Sequence, residues 1–187
     1  MFMPESVICD CTAQALEALT LMPPALYVVM GVCCYESDGR YNAVFSMHDA
    51  EIIYRFDKQF LALFTERPPQ LCGYTCVSWF GYHDSMFYNK GIQSRQPLEI
   101  DASIRLVPYI CSELFYQQLP EDPYTDIPIV ALCGNSWVPD SYVQEVFLLG
   151  ATIRAMQWHR DIVYISSSHG AFISKSGQRV ELQPYQA

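Results

Sequence analysis

Apolar and polar positions along the chain fall into periods that predict alternating strands and helices. Ala25 to Val32 is an unbroken apolar run rich in β-branched residues, as expected of a strand covered on both faces. Glu36-Ser-Asp-Gly39 predicts a turn and Tyr41 to Met47 a second strand. Ahead of them, Cys11 to Leu21 has the Ala, Leu and Glu content of a helix, with Asp10 as its cap and Pro23 and Pro24 as its stop. From Asp49 onward Ile52, Ile53, Phe56, Phe60, Leu63 and Phe64 recur at three-and-four spacing and predict a helix that Pro68 and Pro69 end.

Leu71 to Pro97 is aromatic and of mixed polarity, and its pattern supports no more than a strand at Tyr74 to Phe80. Ser103 is placed to cap a helix through Ile104, Val107, Cys111, Leu114 and Phe115, with Pro108 as a kink or first-turn residue. The last unit is the clearest. Asp126 to Cys133 predicts a buried strand, Gly134 to Pro139 a loop, and Ser141-Tyr-Val-Gln144 the capping box of a helix reaching about Trp158. On that helix Val143, Val146, Phe147, Gly150 and Ile153 share a face, so Gly150 would let it approach the sheet closely. Asp161 to Ser166 is then a strand joined by a right-handed parallel crossover. The expected architecture is α/β: a single domain, residues 1–187, with a mostly parallel central sheet flanked by helices.

Composition narrows the function classes. The chain has 187 residues, 51% of them hydrophobic, enough for one developed core. Its formal net charge of -9 opposes binding to a phosphate backbone, and no basic strip offsets it. The longest apolar runs are strand-sized, well short of the roughly 20 residues a spanning helix needs. The first basic residue is Arg40, so a secretory leader would lack its charged start. A cytoplasmic protein that binds neither nucleic acid nor membrane is expected. The 8 cysteines sit among apolar neighbours like reduced core thiols, and none has the spacing of a zinc knuckle.

In open α/β sheets ligands gather beyond the carboxyl ends of strands. Ser166-Ser-Ser-His-Gly170 follows the last expected strand, so His169 is the candidate general acid or base; a histidine bonded into a strand-end turn is the alternative. Cys133-Gly-Asn-Ser-Trp137 superficially resembles the papain-type nucleophile sequence, but Ser136 stands where that cysteine would be. His48 with Asp49 and His83 with Asp84 fit capping or solvated roles better than metal ligation, and His159 suits a helix C-terminus.

The order of the later segments resembles the class III extradiol ring-cleavage dioxygenases. The matching residues are Asp101-Ala-Ser103, Asp126-Ile-Pro-Ile-Val130, Leu149-Gly-Ala-Thr-Ile153 and Ile165-Ser-Ser-Ser-His169, over roughly 99–172, with Cys33-Cys-Tyr-Glu36 resembling the family's Ala-His-Trp-Glu. The resemblance implies a non-haem iron, or zinc, held by two early histidines and a later carboxylate or histidine. No histidine precedes His48, Cys34 falls at a ligand position, Ala102 replaces a supporting histidine, and only His169 matches, at the acid/base position. What it implies is therefore a non-catalytic or weakly catalytic subunit, without cofactor, serving as structural or regulatory partner in aromatic-compound metabolism. That subunit would pair with a related catalytic chain or with itself and would offer a small aromatic ligand its crevice. Tyr74, Trp79, Phe80, Tyr82 and Phe87 are candidates for contact surface or core. One alternative is an active dioxygenase with iron or zinc on Cys33, Cys34, Glu36, His48, His83 and His169. The other is a stand-alone small-molecule binding domain.

Overall fold

The computed structural model describes residues 1–3, 25–49, 51–63, 65–68, 70–71, 74–75, 87–116, 123–134 and 141–183. The expected helix at 11–21, residues 72–73 and 76–86 of the aromatic stretch 71–97 with Trp79, Phe80, Tyr82 and His83, and Ser136 lie outside them.

Strands β1 (Val28–Glu36), β2 (Gly39–His48) and β3 (Glu51–Asp57) form an antiparallel sheet in the order β1-β2-β3. A two-residue pair, β4 (Gln70–Leu71) with β5 (Tyr74–Thr75), stands apart. The second sheet contains β6 (Leu98–Ile100), β7 (Ile104–Ile110), β8 (Ile129–Cys133), β9 (Ile162–Ser166), β10 (Gly170–Ile173) and β11 (Arg179–Glu181), side by side in that order. Only β7-β8 and β8-β9 pair in parallel; β6-β7, β9-β10 and β10-β11 are antiparallel. Helix α1 (Ser141–Trp158) is the crossover between β8 and β9. The α/β class holds, but one mostly parallel central sheet does not: there are two main sheets, the larger of them mixed.

Period-two alternation builds the layers. Val29, Val44 and Phe56 of the first sheet meet Leu98, Leu106, Ile110, Val130, Leu132 and Ile165 of the second in one core, so the sheets lie face to face. On the other face of the second sheet Val107, Tyr109, Ile129, Ala131, Ile162 and Tyr164 pack with Ala151 and Ala155 of α1. Val146 and Ile153 are exposed, so the packed face of α1 is turned away from the stripe expected from spacing. Gly150 does allow a close approach, to a side chain: a Cβ there would sit 2.7 Å from Cε1 of Phe115.

Two expected helices are strands. Ile52 and Ile53 are both exposed on β3, and Tyr54 and Phe56 continue its alternation, so the three-and-four recurrence from Ile52 is a coincidence of adjacent strand and loop. Asp101-Ala-Ser103 is a hairpin turn, with Asp101 at φ 53 and its Oδ1 accepting from the Ser103 N–H at 2.9 Å, and β7 follows instead of a helix. Pro108 is tolerated because the Val107 N–H donates towards β8, to Pro128 O at 2.9 Å. The neighbouring position faces the flank where β6 has already ended.

Gly150→Ala should cost about 1–3 kcal/mol, because Phe115 must leave its rotamer to admit the methyl group. Urea unfolding checks this, with a lowered midpoint and an unchanged slope as the expected result.

Candidate functional site

β1 and β3 each run antiparallel to β2 and hence parallel to one another. β3 delivers Lys58 directly after its last residue. Lys58 is 1% exposed, and its Nζ lies 2.8 Å from Glu66 Oε1. The same oxygen accepts from Asn42 Nδ2 at 2.8 Å, and Glu66 Oε2 accepts from the Ala62 N–H at 2.6 Å. Burying two charges costs several kcal/mol per ion, and this pair offsets the cost with geometry and extra donors. Phe2 bridges Val29 in parallel, with Met3 N donating to Val29 O at 2.8 Å, so the chain start runs in the direction of β1 and β3.

β7 ends in a sharp turn at Cys111. This residue has φ 47, a left-handed conformation rare for a side chain of this kind, and it opens the 3-10 turn Cys111–Phe115. Strand-to-helix elbows of this sort hold a nucleophile clear of its own backbone. Two residues on, Glu113 is fully buried. Its Oε1 accepts from the N–H groups of Gln59 (2.8 Å) and Phe60 (3.2 Å), and its Oε2 accepts from the Ile110 N–H (3.0 Å). Ser112 Oγ donates to Phe60 O at 3.4 Å and Tyr116 Oη to Leu61 O at 3.0 Å. The residues after Lys58 are thereby fastened to the turn that carries Cys111.

A strap, 87–97, crosses this junction. Tyr88 N donates to Glu66 O (2.9 Å) and Gly91 N to Lys58 O (2.8 Å); a Cβ on Gly91 would lie 2.3 Å from Asp57 O, so only glycine fits. A cleft of about 270 Å³ opens beside it, lined by Gln59, Phe60, Leu61, Arg67, Lys90 and Tyr116. Tyr164, buried on β9, has its phenol pushed up by loss of solvent and by the nearby Cys133 and Cys111 thiols.

His169 stands elsewhere, exposed in the β9-β10 hairpin. Ser166 Oγ accepts from its N–H at 3.0 Å and Ser168 Oγ lies 2.9 Å from its Nδ1, while its carbonyl accepts from Ser166 N. It lies in the turn after β9, in the same six-stranded sheet as β7 and Cys111 and not in the sheet that delivers Lys58. The atypical metal set does not assemble: among the described residues no group of three or more His, Cys, Asp and Glu could hold an ion. Cys33 approaches Tyr88 Oη at 2.8 Å, Glu36 pairs with Arg55 at 2.5 Å, and His48 stacks on Tyr27 at 4.1 Å. Among the described residues no helix is long and apolar enough to cross a membrane.

No family model matches the chain, and no curated protein matches it. The fold is similar to solved carbon-nitrogen hydrolases. The glutamine-dependent NAD+ synthetase from Acinetobacter baumannii, in complex with ADP, aligns with TM-score 0.60 and 17% identity, over 90% of this chain and 31% of its own. A carbon-nitrogen hydrolase from Helicobacter pylori G27 aligns with TM-score 0.58 and 9% identity, over 84% of this chain and 58% of its own. A glutamate-to-glutamine mutant of the amidase from Nesterenkonia sp. AN1, showing Michael addition of acrylamide at its active-site cysteine, gives TM-score 0.56 and 13% identity, over 84% and 59%. The chain thus spans about a third of the synthetase and under three-fifths of the other two. The likeness is one of fold, to the nitrilase superfamily, and it overturns the dioxygenase resemblance with the aromatic-metabolism subunit inferred from it. The matched motifs also separate in space: Glu36 ends β1 of one sheet and His169 follows β9 of the other.

The sequence reading passed over Lys58, Glu66, Cys111 and Glu113. Two wrongly expected helices hid them, although a lysine and two acids bracketed by Phe56, Leu61 and Leu114 were signals of buried charge.

Lys58→Met leaves Glu66 buried without its ammonium and should cost about 3–5 kcal/mol. Lys58→Met with Glu66→Gln should recover more than half of that loss in the same denaturation experiment, because the charge goes while an acceptor for Asn42 stays.

Proposed function

We propose that the chain catalyses acyl transfer from an amide or related carbonyl compound through a thioester on Cys111. The observation that carries this reading is the fastening of the left-handed Cys111 turn to the buried Lys58–Glu66 pair by a single carboxylate, Glu113. The likeness to hydrolases of carbon-nitrogen bonds, one of them an amidase with a cysteine in its active site, supports it.

In this scheme the Cys111 thiol gives its proton to a carboxylate and its sulfur attacks the carbonyl carbon. The Lys58 ammonium, fixed by Glu66, balances the negative charge that gathers on the carbonyl oxygen. The carbon-nitrogen bond breaks, the amine leaves with a proton, and water or another nucleophile releases the acyl group.

Mixing the protein with p-nitrophenyl acetate should give a burst of one p-nitrophenolate per chain and a mass increase of one acetyl group on Cys111. Cys111→Ser should lower acylation about 10³-fold or more. An unacylated Cys111 in folded wild-type protein would refute the assignment.

His169→Ala should leave the acylation rate within about twofold, since its imidazole is exposed in the β9-β10 hairpin beside Ser168 and has no role in this scheme. Stopped-flow comparison of the burst phases reads this directly.

A further inference from the structure

Glu113 can relate Cys111 to Lys58 only if its own carboxylate is held, and the residue that reaches it from outside both segments is Arg95. The strap that hydrogen-bonds the Lys58 and Glu66 carbonyls goes on past Gln93, whose carbonyl accepts from Gln59 Nε2, and then turns Arg95 inward. The Arg95 side chain is only 9% exposed. Its guanidinium carbon lies over two aromatic rings, 4.0 Å from the centroid of Tyr109 and 4.9 Å from that of Phe56, and its Nη2 stands 3.0 Å from Glu113 Oε2. Neither its Nε nor its Nη2 makes a hydrogen bond among the described residues, so the contact with Glu113 is an ion pair.

A cation with an unmet donor is a costly thing to bury for packing alone. Its position is explained by the ion pair: two ring faces hold the cation where its charge meets the buried carboxylate. Lysine has the charge but no plane to stack.

We infer that Arg95 is a positioning residue for acyl transfer, the lock by which the 87–97 strap fixes Glu113 and through it the placement of Cys111 relative to Lys58. The inference rests on the acyl-transfer reading above. Arg95 touches none of the reacting groups in this scheme. It acts through Glu113 on the N–H groups of Gln59, Phe60 and Ile110.

The test compares wild type, Arg95→Met and Arg95→Lys by circular dichroism, by hydrogen exchange at single amides, and by kcat and KM for p-nitrophenyl acetate. Arg95→Met should keep the fold, lose protection at Gln59, Phe60 and Ile110 while β9 and β10 keep theirs, and lower kcat about 10-fold or more with KM within about threefold. Arg95→Lys should fold and recover only part of kcat, and it stands in if the methionine variant does not fold. Unchanged protection at the three amides, or a kcat within twofold of wild type in a folded variant, overturns the inference. Protection lost evenly over both sheets also overturns it, since that is a general stability effect. If wild-type protein fails to acylate, the acyl-transfer reading falls, and the exchange data alone decide whether Arg95 holds Glu113.

Discussion

One buried carboxylate governs the relation between the two sheets at the point where chemistry is proposed. Glu113 projects from the turn after β7 and accepts hydrogen bonds from backbone N–H groups on both sides: Gln59 and Phe60 after β3, and Ile110 at the end of its own strand. Apolar packing between the sheets, through Val44, Phe56, Leu106 and Val130, is strong but not directional. It would tolerate small slides that move Cys111 relative to Lys58. Hydrogen bonds to a charged acceptor have narrow geometry and are roughly twice as strong as neutral ones, so they supply the register that the core does not.

The same division of labour explains why charge is buried here. Lys58, Glu66, Arg95 and Glu113 form two opposite pairs within a region otherwise filled by Phe56, Leu61, Tyr109 and Leu114. An apolar replacement of similar volume is often as stable as a buried pair, so pairs of this kind are poorly explained by stability. Placed at the ends of β3 and β7, they hold a positive group and a thiol-bearing turn in fixed relation, which is what acyl transfer requires of a protein before substrate arrives.

The sequence was legible where local pattern and tertiary environment agreed. Ile129 to Cys133, Ser141 to Trp158 and Ile162 to Ser166 form the expected strand, helix and strand, because an apolar run, a capping box and a second apolar run each point to one structure. The first hairpin was legible for the same reason. The site was not. Ile52, Phe56 and Phe60 mimic a helical face, yet Phe56 packs as part of a strand and Phe60 belongs to the loop beyond it. Likewise Ile104, Val107 and Cys111 suggested a helix because strand pairing with residues over 20 positions away cannot be read from neighbours. Both errors removed the strand ends at which Lys58 and Cys111 stand, and left His169, after a correctly expected strand, as the visible candidate.

The φ of 47 at Cys111 has a meaning for how this position can change over time. A left-handed backbone there carries a standing penalty of roughly 1–3 kcal/mol for any residue with a Cβ, and glycine or asparagine would bear it more easily. A robust fold alone would be served better by either of those occupants. A sulfur atom in so unfavourable a seat is the occupant that the proposed chemistry, and not packing, calls for.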